Sequence, residues 1–295
     1  MAPRLLMSLS TMKKIMMSFL FVHGAAHASV NLQTGSWNWS LPLDGISVDY
    51  NSRSLHHGRW GQGWCSDLDV QLKKITQSSW SLMKCGQKVD GVFKENREGV
   101  EARTKDEVFY FNAKDLLLKK WISKGLPHRV LWSEGKISEI QSDALIFRLS
   151  TDQDGRVLEW KSPFEAWKFS YREGALSQAL RERSLTKGVF RQSFLYDALS
   201  NLLEISWTDT TARAKKIMIS YDGEDRVSQV RAPDSCDFYY SFDETKESRE
   251  LFLLSTVKRK CPFTAGLENL KSVRARFEIQ KERELVLTQV EEVTL

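Results

Sequence analysis

Few side chains in this sequence have the type and spacing that catalysis or metal binding requires. Three histidines follow residue 28: the adjacent pair His56 and His57, and His128, which comes directly after a proline. The adjacent pair could bind a metal or act as a base, but nearby glycines favour a turn, and His128 is expected in a loop. The sequence contains no phosphate loop, dinucleotide fingerprint, serine elbow or zinc-protease motif. We therefore predict no metal site and no cofactor.

Carboxylates are numerous, and a pair of them could cleave a glycosidic bond. Asp67, Asp69, Asp152 and Asp222 are among the candidates. Such a pair acts only at a defined three-dimensional separation, which sequence spacing does not reveal. Aspartates at predicted turns are also explained by hydrogen bonds to their own turn backbone. We predict no catalytic residue from these patterns, and the enzyme interpretation stays open as an alternative.

Trp60 and Trp64 lie in the glycine-rich segment 58–65, which reads Gly-Arg-Trp-Gly-Gln-Gly-Trp-Cys. Exposed aromatic faces near polar groups could stack on a sugar, so these two residues are the candidate ligand-stacking positions. The simpler interpretation, which we favour, is that Trp64 belongs to the core beneath the first hairpin. Glycines would then allow the backbone to approach closely.

The four cysteines indicate disulfides if the chain is exported. Their separations in sequence favour two local pairs, Cys65 with Cys85 and Cys236 with Cys261, each of which would clamp one hairpin. Two further pairings are formally open. A zinc site is the alternative, but it requires closer Cys or His spacing than this sequence has.

Residues 1–28 have the composition of a bacterial signal peptide. Lys13 and Lys14 precede a short apolar stretch, and Ala26-His27-Ala28 predicts cleavage before Ser29. The mature chain would have 40 basic and 38 acidic residues, a net charge of +2. Nucleic acid is not expected as a partner, because no basic stripe or reader motif occurs. No later apolar stretch approaches ~18 residues, so no transmembrane segment is expected. We predict a periplasmic, outer-surface or secreted protein.

A degenerate repeat with a spacing of 25 residues runs along the chain. Five units share an aromatic residue or threonine that precedes a turn sequence, and they begin at Thr151, Tyr171, Tyr196, Tyr221 and Phe242, the last with an altered turn. Weaker copies begin at Phe111 and Trp132. Self-similarity at a fixed period indicates a structure that is built from one stacked unit.

Each unit is expected to form one β-hairpin. Apolar residues alternate before the turn, as in Trp167, Phe169 and Tyr171, which places them on one sheet face. They fall three apart after the turn, as at Leu202 and Ile205, which predicts a β-bulge; a short amphipathic helix is the alternative. Glycine, asparagine and aspartate suit the turns. The predicted repeat-turn residues are Asp154, Gly155, Tyr171, Gly174, Tyr196, Asp197, Asn201, Tyr221, Asp222 and Gly223.

Segments 196–202 and 221–227 resemble the tyrosine–aspartate (YD) repeat of the Rhs family, whose consensus is tyrosine-aspartate-x-x-glycine-arginine/asparagine-leucine. Segments 48–54 and 58–65 are similar to the region that leads into the repeats of such proteins. Together the resemblance covers about residues 45–245. It implies an exported bacterial β-sheet, which in long relatives curls into a hollow shell that holds a toxin.

This sequence departs from the long relatives in three respects. It has about seven hairpins, too few to close a shell. It lacks the aspartate-proline-x-glycine boundary where relatives cleave themselves, and its last segment, 273–287, reads as one more hairpin rather than a toxin domain. Shell closure and toxin release are therefore not expected.

These observations predict an all-β protein, an antiparallel meander of YD-repeat hairpins that forms an open, curved sheet. Residues 1–28 are the predicted signal peptide, residues 29–90 an N-terminal β segment, and residues 91–295 the repeat sheet, which is continuous with that segment. The predicted function is a non-catalytic binding or scaffolding module that contacts carbohydrate or another envelope protein. The alternatives are a carbohydrate-active hydrolase and an accessory partner that completes another Rhs shell by sheet-edge pairing.

Overall fold

The computed structural model describes residues 28–77, 79–123, 125–143, 145–183, 189–208, 213–233, 236–247, 250–262, 266–279 and 285–293. Every regular element in these residues is a β-strand, and none is a helix, which confirms the predicted all-β class. The predicted signal peptide lies outside the described residues except for Ala28. No helix in the described part of the chain is long and apolar enough to cross a membrane.

Residues 29–90, the N-terminal segment, form small antiparallel sheets. A four-stranded sheet has the order β1 (Ala28–Asn31), β2 (Ser36–Leu43), β3 (Ile46–Asn51), β6 (Trp64–Ser66). A short hairpin joins β4 (His57–Gly58) to β5 (Gly61–Gln62). A three-stranded sheet contains β7 (Val70–Lys74), β8 (Trp80–Lys84) and β9 (Gln87–Val89). Burial alternates strictly along β2 and β3, as expected where one face of a strand packs on a core.

One sheet of 18 strands forms the rest of the molecule, and each strand pairs antiparallel with the next in sequence. The sheet does not close, which confirms the predicted open meander. Its strands are β10 (Val92–Asn96), β11 (Gly99–Arg103), β12 (Glu107–Asn112), β13 (Leu118–Ser123), β14 (Leu126–Ser133), β15 (Lys136–Ser142), β16 (Leu145–Thr151), β17 (Val157–Lys161), β18 (Glu165–Arg172), β19 (Ala175–Arg183), β20 (Val189–Tyr196), β21 (Leu202–Thr208), β22 (Ala214–Tyr221), β23 (Val227–Arg231), β24 (Asp237–Glu247), β25 (Glu250–Lys260), β26 (Glu268–Ile279) and β27 (Leu285–Val293).

The predicted β-bulges occur at the repeat hairpins. Tyr196 pairs with Leu202 and Leu195 with Glu204, so Leu203 is the extra residue on its strand. Tyr221 and Val227 repeat this arrangement one unit later. The shift in register falls at the same place in six hairpins, between Tyr110 and Phe111, Leu131 and Trp132, Ser150 and Thr151, Ser170 and Tyr171, Leu195 and Tyr196, and Ser220 and Tyr221. The helical alternative for the three-apart spacing is therefore wrong.

The fifth predicted unit does not form a repeat turn. β24 continues through Phe242 and Asp243 to Glu247, and it pairs without interruption with β25. The predicted interpretation of Phe242-Asp243 as a turn with altered sequence is wrong. The tyrosine-type turns end with the unit that begins at Tyr221, and the strands after it are longer.

A single aromatic-rich core joins the N-terminal segment to one face of the large sheet, which we call the inner face; the opposite face is the outer face. The largest fully buried side chains come from both parts: Trp60, Trp64, Tyr50, Leu41, Leu68 and Leu82 from the N-terminal segment, and Trp121, Trp160, Trp167, Phe109, Phe111 and Phe147 from the sheet. The inner face is thus occupied by the chain's own N-terminal segment.

Both predicted disulfides are present. Cys65 bonds to Cys85 beside the β7–β8 hairpin, and Cys236 bonds to Cys261 at the open end of the β24–β25 hairpin. Each loop encloses a short stretch of chain, and closing such a loop stabilises a fold by about 3 kcal/mol. The zinc alternative is excluded for these cysteines, because all four are bonded in pairs.

Candidate functional site

The repeat turns are built around an aspartate and the residue four positions later. Asp222 accepts hydrogen bonds from the backbone N–H of Arg226 (2.9 Å) and from its Nε (2.9 Å). Asp152 makes the same two bonds with Arg156, at 2.9 and 2.7 Å. Burial raises the pKa of Asp222, but the bonds from Arg226 outweigh it, so the pKa lies below the ordinary 3.8. The consensus aspartate and arginine therefore form one structural clamp.

Because of the clamp, the turns differ from the prediction in two respects: which aspartate is bonded and which residue has positive φ. In the unit at Thr151 the clamping carboxylate is Asp152, while Asp154, predicted as the turn residue, only pairs with Arg156 at its rim. Gly155 has φ +79°, as a turn glycine should. In the unit at Tyr171 positive φ falls at Glu173 (φ 53°) and at the predicted turn residue Gly174 (φ 82°). In the units at Tyr196 and Tyr221 it falls at Ser200 (φ 68°) and Asp225 (φ 56°).

The predicted turn roles of Asn201 and Gly223 are therefore corrected. Asn201 is buried, and its Nδ2 donates to Asp197 and to Asp225, at 3.1 Å each. It takes the place that arginine has in the neighbouring unit, and it links two successive turns. Gly223 lies in open space without positive φ. The position before the clamped residue is the one that must adopt the left-handed conformation.

A ladder of tyrosine hydroxyls connects successive hairpins. Tyr171 donates to the carbonyl of Val157 (2.7 Å), Tyr196 to that of Leu176 (2.9 Å) and Tyr221 to that of Leu202 (3.0 Å). Each acceptor lies at the start of the strand after the preceding turn: Val157 and Leu202 are the first residues of β17 and β21, and Leu176 is the second residue of β19. Burial raises the pKa of all three hydroxyls well above 10, so they stay protonated donors at neutral pH.

The backbone N–H groups of three post-turn residues bond to the N-terminal segment. Val157 donates to the carbonyl of Arg59 and Val227 to the carbonyl of Gly35, both at 2.8 Å. Leu202 donates to the hydroxyl of Tyr50 at 3.0 Å. Bulges free backbone groups from the sheet ladder, and a buried N–H without a partner is costly. The N-terminal segment therefore supplies the acceptors that the bulged sheet needs.

Trp60 and Trp64 belong to this interface and not to an open binding surface. Both are 0% exposed. Trp60 packs edge-on against Phe169, with ring centroids 4.9 Å apart, and Trp64 packs likewise on Phe194 at 5.3 Å. The Nε1 of Trp64 also donates to the hydroxyl of Tyr196 at 3.0 Å. Since protein rings cover these faces, the candidate ligand-stacking role is corrected to a core role.

Gly61 shows how closely the two parts approach. Its φ is +94°, and a Cβ at this position would lie 2.8 Å from the carbonyl oxygen of Gly174 in the sheet. A real side chain never approaches a backbone oxygen so closely, so only glycine fits. The predicted role of the segment's glycines, close backbone approach, is observed here.

Three charged side chains meet where β8 faces β12. The Nζ of Lys84 lies 3.2 Å from Oδ1 of Asp67 and 2.7 Å from Oε2 of Glu107, so the two carboxylates are within about 6 Å of each other. Burial lowers the pKa of Lys84, but attraction to Asp67 and the bond to Glu107 outweigh it and raise the pKa. These three side chains form an ion-pair network that can hold the N-terminal segment to the sheet.

The histidines do not assemble a catalytic or metal site. His128 is buried in β14 and stacks on Trp121, with ring centroids 4.3 Å apart, so its predicted loop position is wrong. Burial lowers its pKa, which keeps the ring neutral at pH 7. His56 lies with its Nε2 3.7 Å from Asp69, beside the tight β4–β5 turn. Within the described residues, no group of three histidine, cysteine or acidic side chains is placed to hold a metal ion.

The two ends of the large sheet are the places where strand pairing stops. β10 pairs only with β11, and β27 only with β26. Val92 in β10 is 74% exposed, and Thr288, Gln289 and Glu291 in β27 are exposed. An edge strand offers unpaired backbone N–H and C=O groups to another strand.

Comparison with known proteins gives limited similarity. No protein-family model and no curated protein sequence matches the chain. The crystal structure of TcdB2–TccC3 with Cdc42 is similar over 85% of this chain and 19% of that chain, with 9% identity and a TM-score of 0.31. The Tc holotoxin pore of Photorhabdus luminescens is similar over 91% of this chain and 18% of that chain, with the same identity and TM-score. The chain thus spans less than a fifth of the length of these two proteins.

Proposed function

We propose that this chain is an exported, non-catalytic YD-repeat protein that serves as a binding or scaffolding module in the cell envelope or outside the cell. It captures its partner along a free edge of the 18-stranded sheet. The observation that supports this most directly is the open meander, in which two edge strands remain while the inner face is filled. Residues 29–90 and 91–295 act together as one unit, since a single core joins them.

Backbone pairing at an edge is a physically sufficient means of capture. A strand that is added to a free edge satisfies a row of N–H and C=O groups, and side chains on alternate positions give specificity. β27 is the longer edge, with nine residues against five in β10. A partner with its own open YD-repeat sheet would be a suitable occupant, and it would make this chain an accessory that extends another sheet.

Export is part of the proposal and rests on separate observations. Residues 1–28 have the composition of a signal peptide, and cleavage before Ser29 would leave all of β2 and most of β1 intact. Two disulfides persist in oxidising compartments and rarely in the cytosol. N-terminal sequencing of protein from the envelope fraction should give Ser29, and recovery of a residue before Ala28 would contradict this part.

A carbohydrate-active hydrolase remains a second candidate because Asp67 and Glu107 have a separation in the range that glycoside cleavage uses. Lys84 between them favours the structural role. Asp67→Asn and Glu107→Gln should therefore change the unfolding midpoint. Loss of a glycosidase activity of the unmodified protein, with an unchanged midpoint, would support the hydrolase instead.

Edge variants test the main proposal. We expect Thr288→Lys with Val290→Lys to block capture at β27, and Val92→Lys to block it at β10, because charges on an edge strand oppose further pairing. Met218→Lys, on central strand β22, is the matched control. The tagged mature chain and its variants are used to pull partners from an envelope fraction. One edge variant should lose the partner that the control retains.

The proposal fails if both edge variants retain every partner that the unmodified chain captures. Deleting residues 268–295 gives an independent reading, because Val273 and Ala275 are buried but lie outside the main core. The truncated chain should keep its near-ultraviolet circular dichroism and lose capture at β27. Global unfolding would instead assign the last hairpin to the structural core.

A further inference from the structure

A row of polar and charged side chains crosses four strands on the outer face. Tyr110 in β12 lies directly opposite Lys120 in β13, Lys120 lies opposite Arg129 in β14, and Arg129 lies opposite Gln141 in β15. Their neighbours in sequence, Phe109, Trp121, His128 and Val130, are buried on the inner face. Side chains alternate along a strand, so the four members of the row share the solvent side.

Lys120 and Arg129 are directly opposed cations, as are Arg148 and Lys161, but the second pair has acidic partners in Glu139 and Glu159. Like charges that lie directly opposite on adjacent strands destabilise a sheet. Lys119, the extra residue of the β12–β13 bulge, adds a third cation at the same place. Among the ion pairs of the described residues, none involves these three side chains. Elsewhere on the outer face lysines have acidic partners: Lys168 pairs with Glu182 and Lys216 with Glu204, both at 3.2 Å.

The row borders a depression that is large enough for a small ligand. Its volume is about 400 Å³, and its lining consists of Lys119, Lys120, Pro127, Arg129, Gln141 and Asp143. The Nζ of Lys120 lies 5.5 Å from the ring centroid of Tyr110, so an aromatic ring flanks the cations. The depression therefore combines three cations, an amide, one carboxylate and an aromatic neighbour.

We propose that this depression binds an anionic sugar, a glycan unit that carries a carboxylate or a sulfate. Lys120 and Arg129 hold the anionic group by charge-assisted hydrogen bonds, which offsets their mutual repulsion. Gln141 and the carboxylate of Asp143 bond to hydroxyl groups, and Tyr110 offers an apolar ring at one side. An unfavourable charge pair that a ligand neutralises is typical of a binding site, where stability is lower than elsewhere.

The surroundings favour a sugar over nucleic acid. Asp143 lines the depression, and Glu139 lies next to it, bonded to Gln141 at 2.8 Å and paired with Arg148 at 3.5 Å. These carboxylates interrupt the basic surface, whereas nucleic-acid surfaces are continuous basic stripes. Sugar hydroxyls, in contrast, donate to carboxylates. Two strands, β11 and β12, separate the lining residues from the edge strand β10, and a site on the sheet face needs no edge pairing, so it does not depend on edge capture.

Calorimetry with defined oligosaccharides tests the site on the mature chain. The probe is hexagalacturonate, which carries a carboxylate on every unit, and maltohexaose is the neutral comparison. We expect the wild type to bind hexagalacturonate at least about tenfold more tightly than maltohexaose at low salt. Binding should weaken at about 300 mM NaCl, because surface charges are then screened. Equal affinity for the two sugars, or binding of neither, would overturn the proposal.

Paired variants locate the binding. Lys120→Gln with Arg129→Gln should weaken hexagalacturonate binding by at least about tenfold, since both charge-assisted bonds are lost. Lys168→Gln with Lys216→Gln removes the same number of charges from exposed positions and should leave binding unchanged. If the control variant loses as much affinity as the site variant, general attraction explains the binding and the site is refuted.

Stability provides a readout that does not depend on the choice of sugar. Arg129→Gln alone should raise the unfolding temperature, because it removes the repulsion from Lys120. Hexagalacturonate should raise the unfolding temperature of the wild type and not that of the double variant. A lower unfolding temperature in Arg129→Gln would show that the cations stabilise the sheet, which contradicts the premise.

Discussion

The repeat region, residues 151–231, and the last two hairpins, residues 237–293, are parts of one sheet with different means of stabilisation. In the repeat region every hairpin has a bulge, three of the four turns have an aspartate clamp, and three tyrosines bond to the hairpin before them. The N-terminal segment covers the inner face of this region. In the last hairpins the strands are longer, with 11, 11, 12 and 9 residues, and most of their length extends beyond the main core.

The difference shows what the repeated residues provide. The tyrosine, aspartate and arginine of a repeat unit do not determine strand formation, since β24–β27 form without them. They determine where a strand must stop and how the next hairpin is placed. A repeat unit thus has a fixed position in the sheet, whereas the terminal hairpins resemble an extended ribbon that is free to accept a further strand.

Removing one large side chain that packs on the repeat region and one from the last hairpins should give the largest contrast. Trp64→Ala removes a fully buried ring and the donor to Tyr196, and it should lower the free energy of unfolding by about 3–5 kcal/mol. Phe277→Ala in β26 removes a partly buried ring and should cost about 1 kcal/mol. Urea titration followed by tryptophan fluorescence and circular dichroism measures both. Equal losses would mean that the terminal hairpins belong to the same cooperative core.

The tyrosine ladder predicts a smaller contrast. Tyr221→Phe leaves the carbonyl of Leu202 without its donor and should cost about 1–2 kcal/mol. Tyr240 is the matched control, because it is also partly buried but its hydroxyl has no hydrogen bond to another described residue. Tyr240→Phe should change stability by less than about 0.5 kcal/mol. The ladder is unimportant if the two variants have the same urea midpoint.

The clamp should contribute about 1 kcal/mol. Asp222→Ala removes bonds to the backbone and side chain of Arg226, and it should lower the midpoint of thermal unfolding. Asp243→Ala, at the corresponding position of the sequence that does not form a turn, should have no effect, since β24 continues through it. If Asp222→Ala and the wild type have the same midpoint, the clamp does not contribute to stability.

The pH dependence of stability should give the smallest contrast between the two regions. Aspartates govern it at acid pH and tyrosines at alkaline pH. At acid pH the repeat region responds. The pKa values of Asp152 and Asp222 are lowered in the folded state, so their stabilisation is present above pH 3.8 and is lost as pH falls below it. At alkaline pH both regions respond.

Burial raises the pKa of Tyr221 and of Tyr240 above 10, so stability is complete below pH 10 and falls above it. Tyr221→Phe and Tyr240→Phe should therefore reduce the alkaline slope of the urea midpoint equally, although they differ at neutral pH. Unequal slopes would mean that one of the two hydroxyls is exposed in the folded state.

The sequence was informative about features that depend on neighbouring residues. Alternation at Trp167 and Phe169, the bulge signalled by Leu202 and Ile205, and the local cysteine pairs all follow from short-range spacing, and all were predicted correctly. Turn details were less accurate, because the Asp222–Arg226 clamp decides which loop residue takes positive φ, and the search for glycine or asparagine alone missed it.

Features that depend on residues far apart in the chain could not be predicted from the sequence. The burial of Trp60 and Trp64 follows from contacts with Phe169 and Phe194, more than 100 positions away. That Lys120 lies opposite Arg129 could be predicted only from the strand register, because a shift of one residue would move the side chains to the other face. The tyrosines were recognised by their spacing, but their hydroxyl acceptors are set by the bulges and were not predicted.

The contacts of the N-terminal segment have a consequence for how the molecule folds. The hydroxyl of Tyr50 accepts a hydrogen bond from the backbone N–H of Leu202, 152 residues later in the chain. The carbonyl of Leu32 accepts one from the hydroxyl of Ser255, which is 223 residues away. Pairings at such separation slow folding, because a long loop must be closed before they contribute. On the proposed export route, the tryptophan-rich start of the chain would emerge first and be buried last. We expect slow refolding, with aggregation governed by the time during which these indole rings remain uncovered.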